Sequence, residues 1–313
     1  MIEFLVKINN QLFDMSQLVT KIRFKESLNN GCSTLEFSYI DKDLEIPNGS
    51  VIRFNYNSVN LFYGYVFSIN RNKVNEIKVT AYDQLRYCKV KDSIVVKDDT
   101  VTTLIKKMSS CFNLKVGKLT DTEYKLPTDI VESSTWLDII YEGLESTKKN
   151  TQKKYILRDE NGSICLRDLE VLKLDLILGD KSLAYDFNYA KSIDNEFYNY
   201  IKISVGENSN SEGKIVTKKD TKSIEKYGLI QYYESIYNSN TSQANAKADN
   251  LLKTYNRERE TLSLSCIGDI RIRAGSSFFG KIEDIDYNNR LIAKSVSHEF
   301  IPTHTMEVEA MLW

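Results

Sequence analysis

Apolar and polar residues alternate through the first ninety positions of the chain. Ile2, Phe4, Val6 and Ile8 fall on one face of a two-residue period, and Leu35, Phe37 and Tyr39 repeat it, as do Ile52, Phe54 and Tyr56. Leu61, Tyr63, Tyr65, Phe67 and Ile69 carry the alternation across Gly64, and Ile77, Val79 and Ala81 close it. A period of two marks half-buried strands. Turn residues at Asn29-Asn30-Gly31 and Pro47-Asn48-Gly49 separate the runs, so the pattern predicts a closed or nearly closed antiparallel β-barrel over residues 1–92.

The period changes near Asp98. Asp98, Asp99 and Thr100 are N-cap candidates, and Val101, Leu104, Ile105 and Met108 recur at helical spacing, which predicts a helix over about 100–112. Ser134 or Thr135 caps a second helix carrying Trp136, Ile139, Ile140, Tyr141 and Leu144. After a basic loop, Lys148 to Lys154, the run Tyr155 to Leu166 reads as a hairpin turned by Asn161-Gly162. Residues 93–168 are therefore expected to form a small α+β domain.

Residues 169–313 return to strands. Ile201, Ile203 and Val205 alternate before a polar loop, Gly206 to Gly213, and a helix over Ser242 to Arg257 sets Ala244, Ala248, Leu251, Leu252 and Tyr255 on one side. Strands resume at Leu262 to Leu264, Ile270 to Ile272, Leu291 to Val296 and Met306 to Leu312. The expected unit is a second barrel with an insertion at about 206–258 that contains a helix. Its layout resembles that of the first: Met306 to Ala310 matches Ile77 to Ala81, Ile292 and Val296 match Phe62 and Val66, and Gly275-Ser276 matches Gly49-Ser50. The fold class expected is mainly β with α+β insertions, two barrels in one chain.

Composition narrows the function. With 313 residues, a formal net charge of −1 and 27% charged residues, the chain has the makeup of an ordinary globular protein, not a basic nucleic-acid binder, and no sequence-specific nucleic-acid binding is expected. Abundant Tyr and Phe beside scarce Gly and Pro favour strands. Met1 to Lys7 lacks the features of a signal peptide and no apolar stretch reaches membrane-spanning length, so a chain made in the cytoplasm without membrane insertion of its own is expected.

Candidate chemistry is sparse. Cys32, Cys88, Cys111, Cys165 and Cys266 are scattered and odd in number, which reads as buried free thiols. His298 and His304 are the two histidines, and no third ligand stands at a metal-site spacing. Glu283, Asp284 and Asp286 could serve a glycosidase as paired acids, yet they read more simply as the solvated end of a hairpin. Asp159-Glu160-Asn161-Gly162 resembles a calcium loop but lacks the twelve-residue pattern, and reads as a hairpin turn. Nucleotide-binding glycine motifs are absent, and Lys148 to Lys154 and Lys214 to Lys222 read as solvated loops. No catalytic, cofactor-binding or metal-ligating residue is assigned.

Several stretches carry a resemblance. They are Ala81-Tyr82-Asp83-Gln84-Leu85-Arg86-Tyr87, Lys226-Tyr227-Gly228-Leu229-Ile230-Gln231, Gly268-Asp269-Ile270-Arg271-Ile272-Arg273-Ala274-Gly275-Ser276, and His298-Glu299-Phe300 followed by His304-Thr305-Met306. In order and spacing these are similar to the late control protein D group of phage baseplate hub proteins, notably those of defective Bacillus prophages and clostridial tail-like particles. The resemblance implies two tail-tube-like barrels and a homotrimer, in which three two-barrel chains present six similar barrels to a sixfold tail tube and a threefold face to a spike. It implies as partners the tail tube or tube-initiator protein, a central spike or needle protein, the tape-measure protein and baseplate wedge proteins, at the baseplate of a phage or an R-type bacteriocin. The rival classes are a cell-wall hydrolase at the tail tip and a secretion-system spike. Against both, the chain is expected to end with its last strand at Trp313, with neither a lytic fusion nor a β-prism.

Overall fold

The computed structural model describes residues 1–40, 44–73, 76–194, 196–206, 214–237 and 240–313. The run 207–213, read above as a polar loop, lies outside the described residues. The chain divides into two compact units: the first comprises Met1–Gly143, Tyr155–Asn188 and Leu262–Trp313, the second Leu144–Lys154 and Tyr189–Thr261.

The alternating runs at the N-terminus form β1 (Ile2–Ile8), β2 (Gln11–Asp14), β3 (Val19–Ser27), β4 (Thr34–Ile40), β5 (Val51–Tyr56), β6 (Val59–Arg71) and β7 (Glu76–Tyr82). They pair antiparallel in the order β3-β4-β7-β6-β5-β1-β2. Their inner faces pool Phe4, Val6, Ile22, Phe24, Leu35, Phe37, Ile52, Phe54, Phe62, Val66, Val79 and Ala81 into one core. Each large side chain so buried contributes about 1.5–3 kcal/mol. On β6 the side chains buried in the core are Leu61, Phe62 and Val66, so of the run read from the alternation only Leu61 joins it. Tyr63, Tyr65 and Phe67 instead form a half-buried outer row of edge-to-face rings that continues through Tyr82 and Tyr87, with the Arg86 guanidinium 5.2 Å from the Phe67 ring centre.

The chain then builds β8 (Lys91–Val96), α1 (Val101–Cys111), β9 (Val116–Leu119), β10 (Asp129–Thr135), α2 (Trp136–Thr151), β11 (Tyr155–Asp159) and β12 (Ile164–Asp168). Thr100 caps α1 through a reciprocal pair with Thr103, which satisfies two otherwise unpaired amides. The predicted hairpin is β11-β12, turned by Asn161 and Gly162 at φ 52° and 78°. α2 extends to Thr151, so Lys148 and Lys149 are not in a loop but in its last turn, where cations complement the helix dipole.

β13 (Lys173–Gly179) and β14 (Ala184–Ser192) follow, then β15 (Tyr200–Gly206), β16 (Lys214–Lys219), α3 (Thr221–Tyr227), β17 (Gln231–Tyr237) and α4 (Thr241–Tyr255). In the second unit β15 pairs with β16 and β17, and α4 lays Ala244, Ala248, Leu251 and Tyr255 on Ile201, Ile203 and Val216. Lys214 to Lys222 is thus a strand and the start of a helix; its lysines flank the β-branched run Ile215-Val216-Thr217, and Val216 on the inner side is the residue that joins the core.

The final strands are β18 (Arg259–Ile267), β19 (Ser277–Ile282), β20 (Tyr287–Glu299) and β21 (Thr305–Leu312). Ile270 to Ile272 is not a strand; Asp269 and Arg273 accept turn hydrogen bonds that curl the segment. The sheet continues as β14-β18-β21-β20-β3, with β13 and β19 branching from β20.

Two separate closed barrels are not what the strands make. Among the described residues both β regions join one thirteen-stranded sheet whose ladders do not close. The cause is β20, thirteen residues long: Tyr287–Ile292 pair with β19, while Ser295–Glu299 pair with β3 from the first region.

Candidate functional site

The internal likeness read from sequence has a backbone basis. Gly49 N–H donates to Val66 O at 2.8 Å, Ser50 N–H to Pro47 O at 3.2 Å, and Val66 N–H to Ser50 O at 2.9 Å. Gly275 N–H donates to Ala293 O at 2.9 Å, Ser276 N–H to Arg273 O at 2.9 Å, and Ala293 N–H to Ser276 O at 2.9 Å. Both glycines lie at positive φ, 84° and 82°, where a side chain is strained. Val66 then opposes Ala81, the ladder bulges, and Ser68 opposes Thr80; Ala293 opposes Ala310, the ladder bulges, and Ser295 opposes Glu309. β5-β6-β7 and β19-β20-β21 are one ladder built twice. The matches of the turns and of the closing strands hold. The match of Phe62 and Val66 to Ile292 and Val296 is off by three, since the hydrogen bonds set Val66 against Ala293.

Several of the residues that carry the resemblance fasten part of the fold. Asp83 accepts from Ser33 N–H at 2.8 Å and Leu85 N–H at 2.9 Å, starting the short helix Gln84–Cys88. Gln84 Nε2 donates to Asp159 Oδ2 at 2.6 Å, and Gly162 N–H to Asp159 Oδ1 at 2.6 Å, which ties β7 to the β11-β12 hairpin. Burial, helped by the charge of Asp159, pushes the Asp83 carboxyl up to about 7, and burial pushes Asp159 up to about 6. Glu160 differs: burial would raise it, but Arg167 and Arg158 hold it down at about 2. It is ion-paired to both arginines beside the hairpin turn.

Arg273 Nε donates to Glu26 Oε2 at 2.8 Å and its Nη2 meets Glu26 Oε1, clamping the Gly268 to Ser276 segment onto β3. His298 is buried, with Nε2 2.9 Å from Ile272 O and Nδ1 3.0 Å from His304 Nε2. The carbonyl requires an N–H at His298 Nε2, so His298 Nδ1 accepts from His304. Burial lowers both imidazoles, His304 to about 4, and the pair is neutral at pH 7. A Cβ at Gly268 would collide with the His304 ring, which explains that glycine. Phe300 leaves β20 to enter the first core: its ring lies 4.8 Å from Phe54 and 4.5 Å from His304, and its N–H donates to Ile22 O at 3.0 Å.

In the second unit Gly228 ends α3 at φ 81°. Buried Asn199 donates from Nδ2 to Gly228 O at 2.8 Å and accepts from Ile230 N–H at 2.8 Å, fixing the turn into β17. Sequence reasoning missed Asn199, Glu26 and Asp159 as anchors, because their partners are 29, 247 and 75 residues away.

Cys88, Cys165 and Cys266 are buried, and burial pushes Cys88 and Cys266 up to about 12; Cys32 is half-buried and raised to about 11. Cys111 is exposed, against the expectation that all five thiols are buried. Glu283 and Asp284 sit in an exposed turn between β19 and β20 closed by Asp286 at φ 50°. Among the described residues no group of three or more His, Cys, Asp or Glu is placed to hold a metal ion, and no helix is long and apolar enough to cross a membrane. An open trough of about 450 Å³ crosses β14, β18, β21, β20 and β3, lined by Ser263, Ser265, Ser295 and Ser297 together with Lys25, Asp186, Glu307 and Glu309 and by the apolar Phe187, Leu264, Val296 and Val308.

A family model described as YQBQ-like matches residues 22–311. The uncharacterized protein YqbQ of Bacillus subtilis (strain 168) is 25% identical over 272 residues, 85% of this chain and 82% of that protein. Among solved structures, the 43 kDa tail protein of prophage MuSo2 from Shewanella oneidensis aligns over 99% of this chain and 98% of its own at TM-score 0.73 and 12% identity. A tail protein from Neisseria meningitidis MC58 aligns over 99% and 96% at TM-score 0.70 and 12% identity.

Proposed function

The chain belongs to the YQBQ-like family, and from that premise we propose that it is a structural, non-enzymatic phage-tail protein, the baseplate hub of a contractile tail or R-type bacteriocin. It works there as a homotrimeric adapter between the sixfold tail tube and the threefold central spike. The doubled ladder carries this reading: three chains, each with the ladder of β5-β6-β7 and its repeat in β19-β20-β21, present six equivalent ladders around one axis. The likeness to a prophage tail protein and to a second tail protein along nearly their whole length supports it. So does the use of Asp83, Gln84, Arg273, His298 and Phe300 as internal fasteners. The open ladder ends find their closure between copies, which completes the tube-like wall. The tube or tube-initiator protein, the spike or needle, the tape-measure end and the wedge proteins are the partners of such a hub.

Electron cryomicroscopy of intact particles tests the adapter. Three copies about the tail axis are expected; six copies, or one copy off the axis, would overturn it. The hydrolase alternative is tested with purified protein, which should leave peptidoglycan intact. Lysis abolished by one substitution at a Cys, His or Glu would replace the structural reading.

A further inference from the structure

The two copies of the ladder meet different surroundings at one equivalent place. Beyond its bulge, β20 offers Ser295, Val296 and Ser297 to β3, and Val296 is 2% exposed. Beyond the same bulge, β6 offers Ser68, Ile69 and Asn70; pairing with β5 has ended at Tyr65, and among the described residues no strand lies on that edge. Ser68 and Asn70 are exposed and Ile69, the counterpart of Val296, is 36% exposed. An edge of unpaired N–H and C=O groups carrying an exposed isoleucine is a template for another strand.

The strand that fits is on the same chain type. β3 precedes β4 as β14 precedes β18 in the sheet, and the burial rhythm of β3 reappears in β14: Val19, Ile22 and Phe24 are buried where Ala184, Phe187 and Tyr189 are half-buried. β14 ends the sheet, paired to β18 alone among the described strands.

We propose that the β6 edge at Ser68–Asn70 receives β14 of a second copy of this chain, antiparallel, in the register by which β20 receives β3. Transferring Ser295↔Ser27 and Val296↔Glu26 sets Ser68 opposite Ser192 and Ile69 opposite Lys191 of the neighbour. Because Leu28 N–H donates to Lys294 O, Ser27 and Ser295 form a non-hydrogen-bonded pair; Ser68 and Ser192 inherit that close spacing, and Ile69 and Lys191 become the hydrogen-bonded pair. The contact is head-to-tail, the kind that closes into a ring when its rotation is that of the proposed trimer. This rests on the reading of the chain as a ring-forming tail subunit, and adds which strands meet and in what register.

The test uses assembled particles. Ser68→Cys with Ser192→Cys, in a chain whose exposed Cys111 is replaced by serine, should give disulfide-linked chains on a non-reducing gel, while either single variant and the shifted pair Ser68→Cys with Ala190→Cys should not. Hydrogen exchange on the unaltered protein gives a second reading: the Ile69 and Lys191 amides should exchange freely in the isolated chain and be protected in particles. Cross-links limited to three chains support junction and adapter together. Cross-links closing at another number keep the junction and overturn the adapter. Three-copy particles with no cross-link overturn the junction alone, as do Ile69 and Lys191 amides that stay unprotected in particles, whether or not the double variant assembles.

Discussion

The ladder that starts at Gly49 and the ladder that starts at Gly275 share a backbone and almost no side chains. In the first, Phe54 opposes Phe62 and aromatic rings fill the core; in the second, Gly280 opposes Asn289 and Ala293 opposes Ala310. The turn at Gly49 has open space beside it, whereas the turn at Gly275 is walled by Ile156 and Leu169. Even the locks at their ends differ, a buried carboxylate at Asp83 in one and a neutral imidazole pair at His298 and His304 in the other. Hydrogen-bond pattern and bulge position survive where identity does not, because they set strand register and every inward side chain depends on register.

The comparison can be broken most severely at the residue that crosses from one ladder to the other. Phe300→Ala removes a ring from the first core and should cost about 3–5 kcal/mol in chemical denaturation, although Phe300 belongs to the second. A loss under about 1 kcal/mol would show that the first core is complete without it. Next is the ion pair between the regions: Arg273→Leu leaves Glu26 buried without its partner and should cost about 3 kcal/mol, most of it recovered when Glu26→Leu is added. A smaller difference separates the turns. Gly49→Ala meets only the positive-φ penalty of about 1–2 kcal/mol, while Gly275→Ala also crowds Ile156 and Leu169 and should cost about 1 kcal/mol more. Equal losses at the two glycines would deny that their surroundings matter.

The smallest effect in the intact chain is its pH dependence, where the two locks oppose each other. Asp83 and Asp159 titrate higher folded than unfolded, so their contribution is full below about pH 4 and is lost as pH rises through about 6 to 7. His304 titrates lower folded, so its contribution is present above about 6.5 and is lost as pH falls toward about 4. Asp159→Asn should therefore make stability rise more steeply with pH across that window, and His304→Gln should make it fall. Unchanged slopes in both variants would remove these groups from the account.

Much of the fold was legible in the chain because turns and closing strands are local. Asn161-Gly162, Gly49-Ser50, Gly275-Ser276 and Ile77 to Ala81 were each read correctly, the α1 cap included. The middle of the repeat slipped by three because an apolar pair four apart fits a strand at more than one register. Closure was misjudged because alternation reports that a strand has a buried face and is silent about which strand pairs with its edge; β20 with β3 spans some 270 residues. Lysine-rich runs were taken for loops since charge reports exposure, and one face of α2 or β16 is exposed while the other packs. The anchors Glu26, Asp159 and Asn199 gave no signal, as a lone buried polar residue is indistinguishable in sequence from a surface one.

The path of Phe300 also sets a timetable for synthesis. Phe54 and Ile22 leave the ribosome early, yet the ring and the amide that complete their surroundings belong to residue 300. At about 5–20 residues per second, the N-terminal sheet waits on the order of tens of seconds with its core unplugged. Folding of this region is therefore finished only once Phe300 has emerged, with a contact order set by the pairing of β20 with β3. A nascent chain stalled before Phe300 exposes apolar surface to chaperones and proteases, which favours the removal of unfinished copies.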